Sequence, residues 1–144
     1  MTERVLLGGR VRITSTPMLT APTAADAPIL KRLQLPQGEL AQFYDGDEGM
    51  RYLAMIQLKP GTVRGNHYHL KKLEWVYVVA GRVEMALRER DGGEVVRLQA
   101  EGGDLARIDT GIVHAFRPLE EGLAIEFSPQ RHEAQDTFRL PILI

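Results

Sequence analysis

Glycine and proline interrupt this 144-residue chain at short intervals, 14 and 8 times, and no segment carries a sustained 3.6-residue apolar repeat. That punctuation leaves no room for a scaffold of long amphipathic helices. The runs between the breaks are short and rich in β-branched and aromatic residues. Short strands between turn signals point to an all-β sandwich or barrel. Val5 to Leu7 and Val11 to Ile13 read as one or two strands around Gly8-Gly9. Leu30 to Phe43 alternates, with breaks at Pro36 and Gly38. Tyr52 to Leu58 reads as a mostly buried strand ended by Pro60-Gly61. Strands are then expected over 63–69, 73–80, 83–90, 94–98, 104–108, 114–117 and 123–127. Asp91-Gly92-Gly93 is a hairpin signal, and residues 118–122 form a second one. Residues 15–28, with Pro17, Pro22 and Pro28, read as a surface connection. Residues 131–136 are polar and carry no assignment.

One stretch carries chemistry. His67 and His69 are separated by one residue, and alternate residues of a strand share a face. Glu74 follows inside an otherwise apolar run, Leu73 to Ala80, with Lys71 and Lys72 as a polar break between the strands. A carboxylate turned into a β interior is costly unless it is paired or bound to a metal. Two imidazoles and one carboxylate are a metal-ligand set. Cysteine is absent, so any metal is held by nitrogen and oxygen. That leaves one divalent transition metal among Zn, Mn, Fe, Co, Ni and Cu. It also excludes disulfides and thiolate nucleophiles.

Other residues are weighed by position. On the face of Glu74 lie Val76, Val78 and Ala80, a dry wall; Trp75 and Tyr77 take the other face, as a second packing layer or an interface. Glu126 and Gln57 are polar residues within strands, either solvated or acting as base or supporting partner. Glu126 and Tyr52 are the candidates for moving a proton. Tyr52, Met55, Met85, Phe116 and Phe127 are core or pocket residues, and Phe116 is taken as a substrate contact. Arg64 lies opposite His67 by parity, unless Gly65 twists the strand and makes it a phosphate clamp. Arg51, Arg64 and Arg117 would form a basic mouth for a phosphate-bearing substrate. Tyr68 faces away from the histidines, and His132 reads as exposed and without a role.

The whole chain is expected to form one domain: residues 1–28 an N-terminal strand and connection, 29–130 the barrel, 131–144 a C-terminal tail. The apolar end, Phe138 to Ile144, either folds back on its own sheet or lies on a partner subunit. Net charge is -1 with both signs interspersed, which offers no footprint for nucleic acid or an anionic membrane. No apolar run approaches the length of a membrane span. The N-terminus does not read as a signal peptide, and a cytoplasmic location is expected.

The spacing now carries a resemblance. Gly61, five residues, His67-Tyr68-His69, four residues, Glu74, six residues and Gly81 resemble the first motif of the cupin superfamily. Gly103, five residues, Asp109, one residue, Gly111, two residues, His114, three residues and Pro118 resemble the second. Asp109 stands where the family has proline and Pro118 where it often has asparagine; neither is a ligand position. The resemblance implies a double-stranded β-helix, or jelly-roll barrel, commonly a homodimer. It implies one metal held by His67, His69, Glu74 and His114. Within the superfamily, Arg64-Gly-Asn-His-Tyr-His69 resembles a motif in the cupin domain of capsular-polysaccharide assembly proteins, which act with zinc as epimerases on nucleotide-linked sugars. The Arg-Gly-x-His element is similar to the sugar epimerase and ketoisomerase branches. Three functions are thereby expected in order: an epimerase or isomerase of a small carbohydrate or nucleotide sugar; an oxygen-dependent dioxygenase or oxidative decarboxylase; a non-enzymatic small-molecule-binding cupin.

Overall fold

The computed structural model describes residues 2–20 and 27–144. The strands run in chain order as β1 (Thr2–Leu6), β2 (Val11–Ser15), β3 (Met18–Leu19), β4 (Lys31–Leu35), β5 (Gly38–Gln42), β6 (Tyr52–Leu58), β7 (Arg64–Tyr68), β8 (Glu74–Ala80), β9 (Arg82–Glu89), β10 (Val96–Glu101), β11 (Asp104–Ile108), β12 (Ile112–Pro118), β13 (Gly122–Ser128) and β14 (Phe138–Arg139). Among the described residues the only helical pieces are 3₁₀ turns at Leu7–Gly9 and Ala134–Asp136. No helix among these residues is long and apolar enough to cross a membrane.

Two sheets face each other as a jelly roll of the cupin-like kind. One runs β1-β2-β11-β8-β13-β6 and the other β10-β9-β12-β7-β14. The alternation read from the sequence puts one face of each strand inward. Val11, Ile13, Ile56, Val76, Val78 and Ala106 from one sheet meet Val83, Met85, Leu87, Ile112 and Phe116 from the other. Ala80, expected on the dry wall, is exposed at its strand end. β1 and β2, from the segment read as an N-terminal strand and connection, belong to the larger sheet.

A third sheet, β3-β4-β5, lies outside the sandwich, with β3 and β4 parallel. The connection read over 15–28 therefore contains a strand at Met18–Leu19; its residues 21–26 lie outside the described residues. The outer face of β8 and β13 is covered by this region. Phe43 stacks on Tyr77 with centroids 4.3 Å apart, and Trp75 stacks on Phe127 at 5.6 Å. The expected second packing layer is thus built by the chain itself. β6 departs from the mostly buried strand expected: Leu53 and Met55 are each 70% exposed. It is an edge strand, so only its inward residues, Ile56 and Leu58, find a partner sheet.

The C-terminal segment folds back on its own sheet. Leu143 is 3% exposed and sits against Ala86 and Ala115. The Asn66 side chain holds it: Oδ1 accepts from the Ile142 and Leu143 N–H groups at 2.9 and 3.0 Å, and Nδ2 donates to the Leu143 carbonyl at 2.7 Å.

Candidate functional site

The site lies between the two main sheets. β7 carries His67, and His69 follows its last residue. β12 carries His114, paired with His67 in register. Glu74 opens β8, in the opposing sheet rather than on a hydrogen-bonded neighbour. The pairing slips between His114 and Ala115, opposite Gly65. Gly65 has φ +89°, and a Cβ there would stand 2.7 Å from the His114 carbonyl oxygen. Asn66 follows at φ 59°, a left-handed position that asparagine tolerates better than most residues. These two residues turn the strand. Arg64 therefore escapes simple alternation and lines the same cavity as His67.

The three imidazoles converge, each with a ring nitrogen within 4.8 Å of the others. His69 Nδ1 donates to the Asp136 carbonyl at 2.7 Å, and His114 Nδ1 to the Ile112 carbonyl at 3.0 Å. A carbonyl only accepts, so Nδ1 carries the proton in both rings. Nε2 then faces Glu74, at 3.0 Å for His69 and 3.2 Å for His114. Neither contact has hydrogen-bond geometry: both Nε2 atoms and Glu74 Oε2 are buried without a partner. With Nδ1 protonated, each Nε2 can turn a lone pair toward the centre of the cluster. A divalent metal fits this donor set, with backbone carbonyls fixing the outer nitrogens as they do for metal-bound histidine.

Charge is arranged to suit. Burial, reinforced by the two neighbouring imidazoles, pushes His67 down to about 4, so it is neutral at pH 7. Burial opposes ionisation of Glu74, yet His114, His69 and Lys72 outweigh it and hold the carboxyl well below its usual range. Lys72 lies 3.1 Å from Glu74 Oε1 and 3.6 Å from Glu126 Oε1, with 4% of its side chain exposed. Burial lowers Lys72, but the two carboxylates more than compensate and keep it an ammonium. Burial lowers His114, but Glu74, with the Ile112 carbonyl, outweighs it and leaves the imidazole raised above its usual value. Glu126 is raised by burial and by the charge of Glu74.

A cavity of about 240 Å³ opens over these groups. His67, His69, Glu74 and His114 form one end; Glu126, Phe116 and Arg64 line its wall and mouth. Tyr52 stands behind them: Lys72 Nζ lies 4.5 Å over its ring, and His132 stacks on it at 5.6 Å. Burial and Glu126 raise the Tyr52 hydroxyl above its usual value. Arg51 does not line the cavity, since its guanidinium donates to the Pro129 carbonyl at 3.0 Å. Arg117 is taken up by Glu84 at 3.2 Å. The expected basic mouth is therefore Arg64 without the other two.

Four residues of the site come from the polar break or from the stretch read as a C-terminal tail. Lys72 is one; it precedes β8 beside another lysine, and nothing local in the sequence marks its burial. His132, exposed as expected, nevertheless lines the cavity, its Nδ1 3.3 Å from Lys72 Nζ. Thr137 lines it too. Asp136 is 6% exposed, and its carboxylate accepts from the N–H groups of Leu70, Lys71 and Lys72 at 2.8–3.1 Å. Burial works against the charge of Asp136, but these three donors hold it below its usual range. Asp136→Ala is expected to lower stability by roughly 3 kcal/mol at pH 7 in urea unfolding, because it strips three charge-assisted bonds. A depressed carboxyl contributes stability above its unfolded pKa and loses it as pH falls through the folded one. The deficit should accordingly shrink in acid.

Residues 36–122 match the family model described as the polysaccharide biosynthesis C-terminal domain. No curated protein matches in sequence. Among solved structures, a dTDP-6-deoxy-D-glucose-3,5-epimerase RmlC from Legionella pneumophila is 15% identical, with 99% of this chain and 78% of that one covered and a TM-score of 0.73. A 3,4-ketoisomerase from Helicobacter canadensis is 13% identical, with 90% of both chains covered and a TM-score of 0.70. The capsular polysaccharide assembling protein CapF from Staphylococcus aureus is 23% identical over 74% of this chain, with a TM-score of 0.60. The chain spans 33% of CapF. At these identities the likeness establishes the shared fold.

Proposed function

The chain belongs to the polysaccharide biosynthesis C-terminal domain family, and on that premise we propose that it is a metal-assisted epimerase or ketoisomerase of a nucleotide-linked ketosugar. The observation that carries this reading is the meeting, in one cavity, of a proton acceptor, Glu126, with three convergent imidazoles and Glu74. The epimerase and ketoisomerase named above share one elementary need. A proton next to a carbonyl is removed and returned, to the other face or to the neighbouring carbon.

Glu126 is the base. Its raised pKa makes the carboxylate more basic than an exposed one, which suits proton abstraction near neutral pH. The C–H electrons move into the carbonyl, and the proton rests on Glu126 until it is returned. His67, His69, His114 and Glu74 would hold a divalent metal, which when bound would supply a Lewis acid for the carbonyl oxygen. Lys72 keeps Glu74 ionised and limits the rise of Glu126. Tyr52 backs the cluster. Phe116, 5% exposed, keeps one wall apolar.

The cavity, about 240 Å³, falls below the roughly 300–1,000 Å³ usual for drug-sized ligands. It suits the reacting sugar, with the diphosphate outside at the mouth, where Arg64 is exposed and able to clamp it.

The test is incubation of zinc-loaded protein with a TDP-linked 4-keto-6-deoxyhexose in D₂O. Uptake of one deuterium beside the carbonyl, seen by NMR, is expected, and its absence would sink the reading. Zinc titration of His67→Ala should show binding weakened at least tenfold with an unchanged β-sheet spectrum. Among the described residues His67 makes no ion pair, so its removal leaves no carboxylate stranded. Zinc affinity equal to the unsubstituted protein would remove His67 from the ligand set.

A further inference from the structure

β14 is the edge strand of the smaller sheet, next to the strand that carries His67. It pairs with β7, Phe138 opposite Tyr68 and Arg139 opposite His67. Directly opposed residues of a ladder share a face of the sheet. Phe138 accordingly stacks on Tyr68 at 5.2 Å, on the face turned from His67. Arg139 stands on the other face, the one from which His67 lines the cavity. Alternation along the chain agrees. Thr137, which lines the cavity, is extended, with φ -119° and ψ 113°, and Arg139 lies two residues on. Arg139 is exposed and is not itself part of the cavity wall, so its place is the rim.

Most arginines of this chain are taken up. Arg32 is held by Glu39 at 2.8 Å and Arg117 by Glu84 at 3.2 Å. Arg51 and Arg88 donate to backbone carbonyls, and Arg107 lies over the Trp75 ring. Arg64 and Arg139 are exposed, and among the described residues neither side chain makes a hydrogen bond or an ion pair. Arg131 is a third such arginine, but no strand register places it at the cavity. The acids of this region are engaged elsewhere. Lys72 serves Glu74 and Glu126, Lys71 takes Glu133 at 3.3 Å, and backbone N–H groups take Asp136. Arg64 is three residues before His67, roughly 10 Å along a strand, and Arg139 is one strand across, about 5 Å. One free guanidinium therefore stands on each side of His67.

We infer that Arg139 is a second ligand-binding arginine, which with Arg64 grips the diphosphate of the nucleotide sugar at the rim of the cavity. A guanidinium presents a rigid fork of donors that matches two phosphate oxygens at once. Two such forks, flanking the cavity and unclaimed by carboxylates, suit two linked phosphate groups. The sugar would then enter the cavity with its diphosphate held outside. The inference takes its nucleotide-linked ligand from the reading above, but does not depend on turnover.

The experiment titrates Arg139→Gln, Arg139→Lys, Arg64→Gln and Arg131→Gln with TDP and with thymidine by calorimetry, beside the unsubstituted protein, each with and without zinc. Thermal melting comes first. Arg139→Gln should melt with the unsubstituted protein, because the side chain is exposed and unpaired. A marked drop would mean that the guanidinium is engaged within the protein, and would overturn the inference. TDP should bind roughly tenfold or more weakly to Arg139→Gln and to Arg64→Gln, the usual worth of hydrogen bonds to a charged group. Arg139→Lys should recover part of the loss, and Arg131→Gln should lose nothing. Thymidine, which has no phosphate, should bind all of them alike. The loss should persist without zinc, which separates it from phosphate held by the metal. Equal TDP affinity in Arg139→Gln overturns the inference. So does an equal loss in Arg131→Gln, which would mark a diffuse field rather than a site. Deuterium uptake with KM unchanged in Arg139→Gln would keep the proposed reaction and remove Arg139. TDP affinity lost in Arg139→Gln, with no deuterium taken up by the unsubstituted protein, would keep Arg139 and remove the reaction. No binding of TDP to the unsubstituted protein would remove both.

Discussion

Glu126→Gln is expected to lower turnover roughly 10²–10⁴-fold while leaving zinc affinity unchanged, since general-base catalysis contributes about that much. The amide keeps the size of the side chain and loses the proton acceptor. Its stability should not fall. Burial and the charge of Glu74 both raise the Glu126 carboxyl. A carboxyl with a raised folded pKa contributes stability below its unfolded value and loses it as pH rises through the folded one. At pH 7 the ionised Glu126 is therefore a burden, and glutamine removes it. A slow but equally or more stable enzyme is the expected pair of results. Deuterium exchange proceeding at the original rate would take Glu126 out of the role of base and leave Tyr52, behind Lys72, as the next group to change.

Lys72→Met should cost about 3–5 kcal/mol of unfolding free energy at pH 7, the usual range for removing one partner of a buried ion pair. Its ammonium serves two carboxylates, at 3.1 Å and 3.6 Å, in a region with 4% of the lysine side chain exposed. Methionine fills the stem's space but leaves Glu74 and Glu126 facing the same interior with only imidazoles for company. Both carboxyls then rise, and the deficit is greatest at pH values above them. As pH falls they protonate, the stranded charge disappears, and the variant approaches the unsubstituted protein. Urea unfolding at pH 7 and pH 5 measures this. Equal stability at both pH values would mean that the ammonium contributes nothing, and that the imidazoles alone carry the neutralisation of Glu74.

The contrast between Glu74 and Lys72 shows what a sequence can display. Glu74 sits inside an apolar run, so its burial is legible from its neighbours, and its spacing from His67 and His69 is local. Lys72 sits beside another lysine and looks like a solvated break. Its burial is caused by Glu126, on a strand that comes fifty-four residues later and is brought alongside only by the pairing of β13 with β8. Asp136 and Thr137 are silent for the same reason. They lie in a polar stretch with no periodicity, and the groups that take up the Asp136 carboxylate, the N–H groups of residues 70–72, are more than sixty residues away in the chain. An all-β sandwich or barrel is readable because turn signals and alternation are local; its jelly-roll form is what the cupin resemblance implies. The exposure of Leu53 and Met55 was not, because alternation cannot say which strand ends at an edge. Arg51 and Arg117 were placed at the mouth by charge alone, and nearby acceptors, the Pro129 carbonyl and Glu84, claim them first.

Asn66 adjoins His67 in the chain and holds the segment from Leu140 to Leu143 through four hydrogen bonds, one of them from the Leu140 N–H to its own carbonyl at 2.8 Å. It does so in a left-handed conformation that few other residues adopt without strain. The aim of the His67 ring is therefore decided partly by residues that never touch the cavity. Distance from the chemistry is a poor guide to tolerance in this fold. The backbone of residues 140–143 belongs, in effect, to the framework of the site, and a change that displaced it would reach His67 through Asn66.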